Sequence, residues 1–282
     1  MKKTLLLLVL LLACSIFSTE VMASNVHGSI RSAVETGNRH NTDGTDYDFT
    51  KLILADGFLK SDDWGNFQLG YVVHKNYNQG DDNNGETEIE FRPGYQKTID
   101  WGTYGGQLIF VQGRSAGDSS GYDIVKPEVN LTYNLTDKSR IYTRGLYEHR
   151  NNTGSNSAND WVEGEVQYQS DIGGGTIGTG LFIGDGVEKK DDDEVRGLLN
   201  YHKYFSSTKV FANFYSELRY HRNQDNGKKW KSYKVGVYAN RPIGKGFVLE
   251  AETNVYHDFD ETWDVEQSYR ELFFMTGIKY EF

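Results

Sequence analysis

Apolar and polar residues alternate along this chain from residue 25 to its end. A period of two puts successive side chains on opposite faces of an extended strand. Val125, Val129, Leu131, Tyr133 and Leu135 share one parity, and Lys126, Glu128, Asn130, Thr132 and Asn134 share the other. Val162, Gly164, Val166 and Tyr168 oppose Glu163, Glu165, Gln167 and Gln169 in the same way, and Leu249, Ala251, Thr253 and Val255 oppose Glu250, Glu252 and Asn254. In the final stretch, 269–282, Leu272, Phe274, Thr276, Ile278, Tyr280 and Phe282 form an apolar face. Glu271, Phe273, Met275, Gly277, Lys279 and Glu281 form a mixed one. Segments 103–115 and 195–204 carry apolar residues on both parities, and their faces stay open.

Fourteen such segments can be marked, with no helical period and no break in composition. Their connections alternate in length. Long polar loops at 36–46, 78–85, 116–121, 151–160, 185–194, 222–231 and 258–268 are interleaved with short turns at 100–102, 136–139, 205–208 and 242–246. The stretch 56–65 is long where a short turn is due, unless its flanking strands run into it. An even number of strands, one apolar face throughout and alternating loop lengths predict an all-β, transmembrane, antiparallel up-and-down β-barrel of fourteen strands, with twelve the alternative. Trp64, Trp101, Trp161 and Trp230 lie near strand ends, where an interfacial aromatic girdle would sit. Pro93 and Pro127 fall inside strands and each removes a ladder donor, so a bulge or a place near the membrane rim is expected at both.

The ends of the chain fit that fold. Lys2 and Lys3 precede an apolar run from Leu5 to Leu12, and Val21-Met22-Ala23 offers small residues for cleavage. Residues 1–23 therefore read as a cleaved secretory signal and 24–282 as the barrel domain. The one cysteine, Cys14, falls inside the signal, which removes any disulfide framework. After the signal no apolar run approaches the ~18 residues a spanning helix needs, as expected when only alternate residues meet lipid. The final stretch resembles the closing strand of bacterial outer-membrane barrels, and that resemblance implies that Tyr280 and Phe282 carry the signal read by a barrel-assembly machinery in the outer membrane of a Gram-negative cell.

Charge and candidate chemistry narrow the function. A formal net charge of −10 argues against general nucleic-acid binding. Enzyme motifs are present in letters only. Gly113–Gly117 and Gly117–Gly121 match the nucleophile-elbow pattern, but no helical segment follows either. His27-Gly28-Ser29 has the letters of a barrel phospholipase pair, yet its parity turns inward. His257, Asp258 and Asp260 only touch the outer-loop cluster of barrel proteases. A hydrolase barrel stays as one alternative and a plugged structural or adhesin barrel as another. The acidic loops 80–84 and 191–194 have calcium-like composition, and the seven histidines lack metal-ligand spacing; no cofactor or structural metal is expected. The inward parity holds Arg31, Lys51, Glu88, Glu90, Arg92, Lys126, Glu128, Arg140, Arg144, Glu148 and Arg150. It continues with Glu163, Glu165, Arg196, Glu217, Arg219, Lys234, Glu250 and Glu252. Lys126, Arg140, Arg144 and Arg150 would favour anions, while Glu148, Glu163 and Glu165 pull the other way.

The segment from Lys126 through Pro127 and Thr136-Asp137-Lys138-Ser139 to Arg140, followed by Arg144, resembles the oligogalacturonate-specific porins. With the final Gly277-Ile-Lys-Tyr-Glu-Phe282 and the strand number, the chain resembles the wider superfamily of monomeric sugar porins that includes outer-membrane protein G. That resemblance implies a monomeric, passive outer-membrane channel for sugars or oligosaccharides, acidic ones such as oligogalacturonides included. Its partners would be the saccharide solutes and the surrounding lipid and lipopolysaccharide. Lys126 stands where the family has an arginine. No histidine pair on adjacent strands matches the proton gate of the fourteen-stranded member.

Overall fold

A computed structural model describes residues 25–41, 46–78, 85–115, 120–153, 157–187, 192–224, 227–260 and 269–282. The predicted signal with Cys14, the acidic loop 80–84 and Asp191 of the loop 191–194 lie outside the described residues, while Asp192, Asp193 and Glu194 open a strand. Fourteen strands form one sheet: β1 Val26–Asn41, β2 Asp46–Ser61, β3 Phe67–Asn78, β4 Glu86–Ile99, β5 Gly102–Ser115, β6 Gly121–Thr136 and β7 Ser139–Thr153. The second half comprises β8 Ser157–Ile172, β9 Gly175–Gly186, β10 Asp192–Phe205, β11 Val210–Asn223, β12 Lys229–Gly244, β13 Phe247–Asp260 and β14 Tyr269–Glu281. Each strand pairs antiparallel with its neighbours in sequence, and β1 closes on β14 with Ala33 opposite Gly277. Closure leaves no edge, so every wall strand has a ladder on both sides. Gly28 and Phe282 seal the closing pair with reciprocal backbone bonds of 3.0 and 3.1 Å.

The two ends of the barrel differ as the connections predict. One end carries both strand termini and the short turns. In the β8–β9 hairpin Gly173 and Gly174 both take positive φ (62° and 75°), the two-residue geometry that matches strand twist. The stretch after Asp56 is resolved in favour of longer strands. β2 continues to Ser61, and a single 3-10 turn, Asp62–Trp64, with the Ser61 hydroxyl accepting from the Asp63 amide, leads into β3.

Side chains sort by parity around the whole circumference. Outside lie Val129, Leu181, Leu199, Leu218, Val235, Leu272 and Phe274, all exposed. A water-soluble protein would not present so continuous an apolar surface, and a bilayer is the solvent that suits it. At the short-turn end this band ends in aromatic rings that touch in series. Phe67 meets Tyr95 at 5.2 Å, Tyr95 meets Tyr104 at 6.3 Å, and Trp101 contacts Tyr104 and Tyr133 at 6.3 and 5.8 Å. Phe247, Tyr280 and Phe282 continue the series next to the closing strands.

Two expectations are corrected here. Trp161 and Trp230 do not join the girdle. They share the luminal parity of Glu163 and Ser232, where Trp161 donates to Glu163 (3.1 Å) and Trp230 stacks on His221 (4.7 Å). Nor do the prolines cause bulges. The β4–β5 register lapses at Arg92 and Pro93 and resumes unchanged at Gly94, and the β6–β7 register does the same around Pro127. Both prolines have outward parity near mid-strand, and the flanking ladder holds them in place.

The main irregularity lies on β2. The register with both β1 and β3 slips by one residue at Leu54. Such a bulge reverses parity along the strand. Ile53 faces inward before it, and Asp56 and Phe58 face inward after it. Gly57 is thereby turned toward β1, where a Cβ would lie 1.9 Å from the Ser29 carbonyl oxygen. That close approach also lets the Tyr71 hydroxyl donate to the same carbonyl, at 3.1 Å. Gly57→Ala should therefore sharply reduce the yield of folded, heat-modifiable barrel. Wild-type yield in a gel-shift assay would show that the strands part at little cost.

Candidate functional site: the lumen

The inner face is lined by rows of residues that cross from strand to strand. Every charged residue assigned to the inward parity by sequence lies on this face: Arg31, Lys51, Glu88, Glu90, Arg92, Lys126, Glu128, Arg140, Arg144, Glu148, Arg150, Glu163, Glu165, Arg196, Glu217, Arg219, Lys234, Glu250 and Glu252. Alternation puts them there, because each has a strand neighbour on the lipid side. What alternation does not reveal is how they pair.

The basic residues are largely matched. Arg144 lies 2.7 Å from Glu163, 3.5 Å from Glu128 and 3.7 Å from Glu165. Lys126 lies 2.8 Å from Glu148, and Arg92 forks onto Glu90 at 2.5 and 2.7 Å. Arg31 bonds Asp56 and lies 3.7 Å from Glu250. Arg219 bonds Glu217 at 2.5 Å, and Arg196 bonds Glu194 at 2.6 Å. Arg140 donates to Gln169 at 2.8 Å. Arg150 differs: it lies 4.1 Å over the Tyr122 ring and donates to Asn152. A guanidinium already held by carboxylates offers a passing anion little, because the bidentate geometry is taken. A basic track along Lys126 and Arg144 therefore exists in position but is neutralised in place. Around the whole lumen, carboxylates outnumber cationic side chains among the described residues, with Glu35, Asp56, Glu86, Asp171, Asp258 and Glu271 adding to those already named.

Apolar residues also face inward on the strands whose parity was open. Ile109, Val111 and Ile124 pack together beneath Tyr122, and Ala33, Ile53 and Met275 pack beneath Tyr238 and Phe273. All six are buried, because the long charged and phenolic side chains above them fold across the wall. The ambiguity of segment 103–115 thus has a physical cause: the lumen has its own thin apolar floor. Segment 195–204 contributes Leu198 to the inner face and Leu199 to the lipid face.

Two hollows open between these side chains. The larger, of about 570 Å3, lies toward the short-turn end and is lined by Ser29, Arg31, Asp56, Phe58, Gln68, Gly70, Arg92, Gln96, Gln107, Glu250 and Lys279. The smaller, of about 220 Å3, is bounded by Arg144, Glu165, Gln167, Phe182, Arg196, Asn200, Asn213, Tyr215 and Glu217. Within it Arg196 lies 4.2 Å over the Phe182 ring. Lys279, Asp56, Phe58, Gln68, Gln96 and Gln107 were not singled out as pore-lining from sequence, whereas Gln167 was placed on the inward face. Gln68, Gln96, Gln107 and Lys279 lie on the polar parity and could have been found there. Asp56 and Phe58 could not, because the bulge at Leu54 reverses their faces.

The candidate enzyme residues are dispersed. His27 turns to Asp62, 3.6 Å away. Ser115 ends β5, and the elbow residues 116–119 lie outside the described residues. His257 and Asp258 occupy opposite faces of β13, with Asp258 accepting from Tyr256.

No protein-family model matches the chain, and no curated protein matches its sequence. Solved structures do match. The CymD monoaromatic hydrocarbon channel aligns over 92% of this chain and 88% of its own, at 9% identity and a TM-score of 0.56. The P. putida toluene transporter TodX aligns over 94% and 91%, at 9% identity and a TM-score of 0.52. A bacterial polysaccharide outer membrane secretin aligns over 90% and 98%, at 11% identity and a TM-score of 0.52. A KdgM porin, at 6% identity and a TM-score of 0.43, is too distant to bear on the family. What this chain shares with CymD, TodX and the secretin is the fold, a closed β-barrel.

Proposed function

We propose that this chain is a monomeric, passive channel of the bacterial outer membrane that admits small polar solutes, neutral saccharides foremost, with no catalytic step. The observation that carries the reading is the hydrogen-bonding lumen inside an apolar exterior. Water in the lumen meets paired ions, amides and phenols, while lipid meets leucine, valine and phenylalanine. A hydrocarbon would have to cross that charged layer, and the apolar floor beneath it is covered. Acidic oligosaccharides are less well served than neutral ones, because carboxylates already hold Lys126, Arg92 and Arg144. Luminal contacts of this kind select weakly and let solute leave, as diffusion through a channel requires.

The exterior supports the location. Arg222, Lys229, Lys231 and Arg270 point outward and are exposed at the long-loop end, at the depth where phosphorylated lipopolysaccharide headgroups would lie. Tyr280 and Phe282, next to the closing seam, suit recognition by a barrel-assembly machinery. Purified barrel in a planar bilayer should give stepwise, ohmic conductance, and liposomes containing it should swell in isotonic disaccharide. Tight liposomes and a silent bilayer at high protein content would overturn the channel.

A further inference from the structure

Phe58 turns an aromatic ring without a polar group of its own into the water of the lumen. Phe58 is 44% exposed, and it belongs neither to the lipid-side girdle nor to either apolar floor. Its row across the wall runs Ser29, Phe58, Gly70, Arg92. Both cross-strand neighbours, Ser29 and Gly70, are small, which leaves the ring partly open to the lumen. Only the one-residue slip at Leu54 brings Phe58 inward; unbroken alternation from Lys51 would have sent it to lipid. Bulges recur where a side chain has to be re-aimed. Here the bulge moves a phenylalanine out of the favourable solvent and into the unfavourable one, a cost that packing does not recover.

The surroundings identify what could cover the ring. Phe58 borders the 570 Å3 hollow together with Gln68, Gln96, Gln107 and Arg92. Gln107 is oriented by Glu128, at 2.9 Å, and Arg92 by Glu90. Each primary amide offers both donors and acceptors, which matches a hydroxyl that both donates and accepts. An apolar ligand would leave these groups unpaired, and a carboxylate would find the three cations of the hollow, Arg31, Arg92 and Lys279, already held by Asp56, Glu90 and Glu250. A pyranose ring satisfies both halves of the site. Its axial C–H face lies on the negative face of an aromatic ring, and its equatorial hydroxyls reach outward to amides.

We propose that Phe58 is the stacking platform of a saccharide subsite near the short-turn mouth, with Gln68, Gln96, Gln107 and Arg92 as its hydroxyl-binding rim. The inference rests on the channel reading and adds a place and a contact to it. Occupancy is brief, because one ring face and a few amides exposed to water hold a sugar weakly.

Maltotriose in single-channel recordings tests the subsite, with linear polyethylene glycol of similar mass as a probe that lacks the ring. Wild-type channels should show reversible maltotriose block. Phe58→Ala and Phe58→Leu should weaken that block roughly three- to tenfold, while Phe58→Tyr keeps it. Glycol block should be alike in all four proteins. Equal maltotriose block in wild type and Phe58→Ala would overturn the platform, as would a leucine variant that blocks as well as wild type. A parallel loss of glycol block would also overturn it, by reducing Phe58 to a steric constriction. Absence of any conductance in wild type would instead remove the channel reading beneath it.

Discussion

Val235→Arg should destabilise the folded barrel by about 2–4 kcal/mol, the cost of a cationic side chain facing lipid near the bilayer midplane. Val235 lies close to the centre of β12, points outward and is 52% exposed. Its outward neighbours across the ladder are Ser216 on β11 and Val255 on β13, neither of which could hold a guanidinium. Lys234 next to it carries a charge without penalty, because it points into the lumen over the Tyr215 ring at 5.5 Å. Lys234→Gln should therefore change stability by less than about 1 kcal/mol. Urea titration of barrel folded into phospholipid vesicles, read by tryptophan fluorescence, measures both. Equal, small effects at the two positions would mean that the exterior does not face lipid.

Arg144→Gln should shift the lumen toward cations. One guanidinium lies within 4 Å of Glu128, Glu163 and Glu165, so its removal leaves three carboxylates sharing no counter-charge. At 4 Å a pair of charges in water is worth about 1 kcal/mol, and a difference of 1.4 kcal/mol corresponds to roughly tenfold in occupancy. The ratio of cation to anion permeability should therefore rise several-fold in reversal potentials across a potassium chloride gradient. Replacing Lys126 and Arg150 as well should extend the shift, since Lys126 pairs with Glu148. Block by maltotriose, acting at the other hollow, should be unaffected. Identical reversal potentials for wild type and the triple variant would make these side chains a solvated wall.

Most of the architecture is legible in the sequence because lipid and water impose opposite demands on adjacent residues. The alternation around Val129, Val166 and Leu249 needs no tertiary information, and neither do the alternating loops. Legibility fails where a residue answers to something other than those two solvents. Ile109 and Val111 answer to the side chains that fold over them, so both parities of β5 look apolar. Trp161 and Trp230 sit near strand ends, as girdle residues do, but their neighbours Glu163 and Ser232 fix them inside. Parity was the better guide there than position. The ion pairs are set by cross-strand register, which no single strand encodes. Arg144 meets Glu128 and Glu163 only because β6, β7 and β8 align as they do. The bulge at Leu54 was the costliest omission, because one inserted residue changes the face of everything that follows on β2.

The strands outreach the membrane. β6 and β12 each contain 16 residues, which at ordinary rise and tilt gives roughly 40 Å along the barrel axis against an apolar band of about 25 Å. The wall must therefore stand out of the bilayer as a collar at one or both mouths. Charges at mid-height are flanked by low-dielectric lipid and act on a solute at nearly full strength. Those in the collar, such as Glu194 and Arg219 toward the long loops, are bathed in electrolyte on both sides of the wall, and salt mutes them. Ionic strength thus sets the effective length of the selective zone: long and shared between mouth and middle in dilute medium, contracted to the rows around Arg144 and Arg31 in concentrated salt.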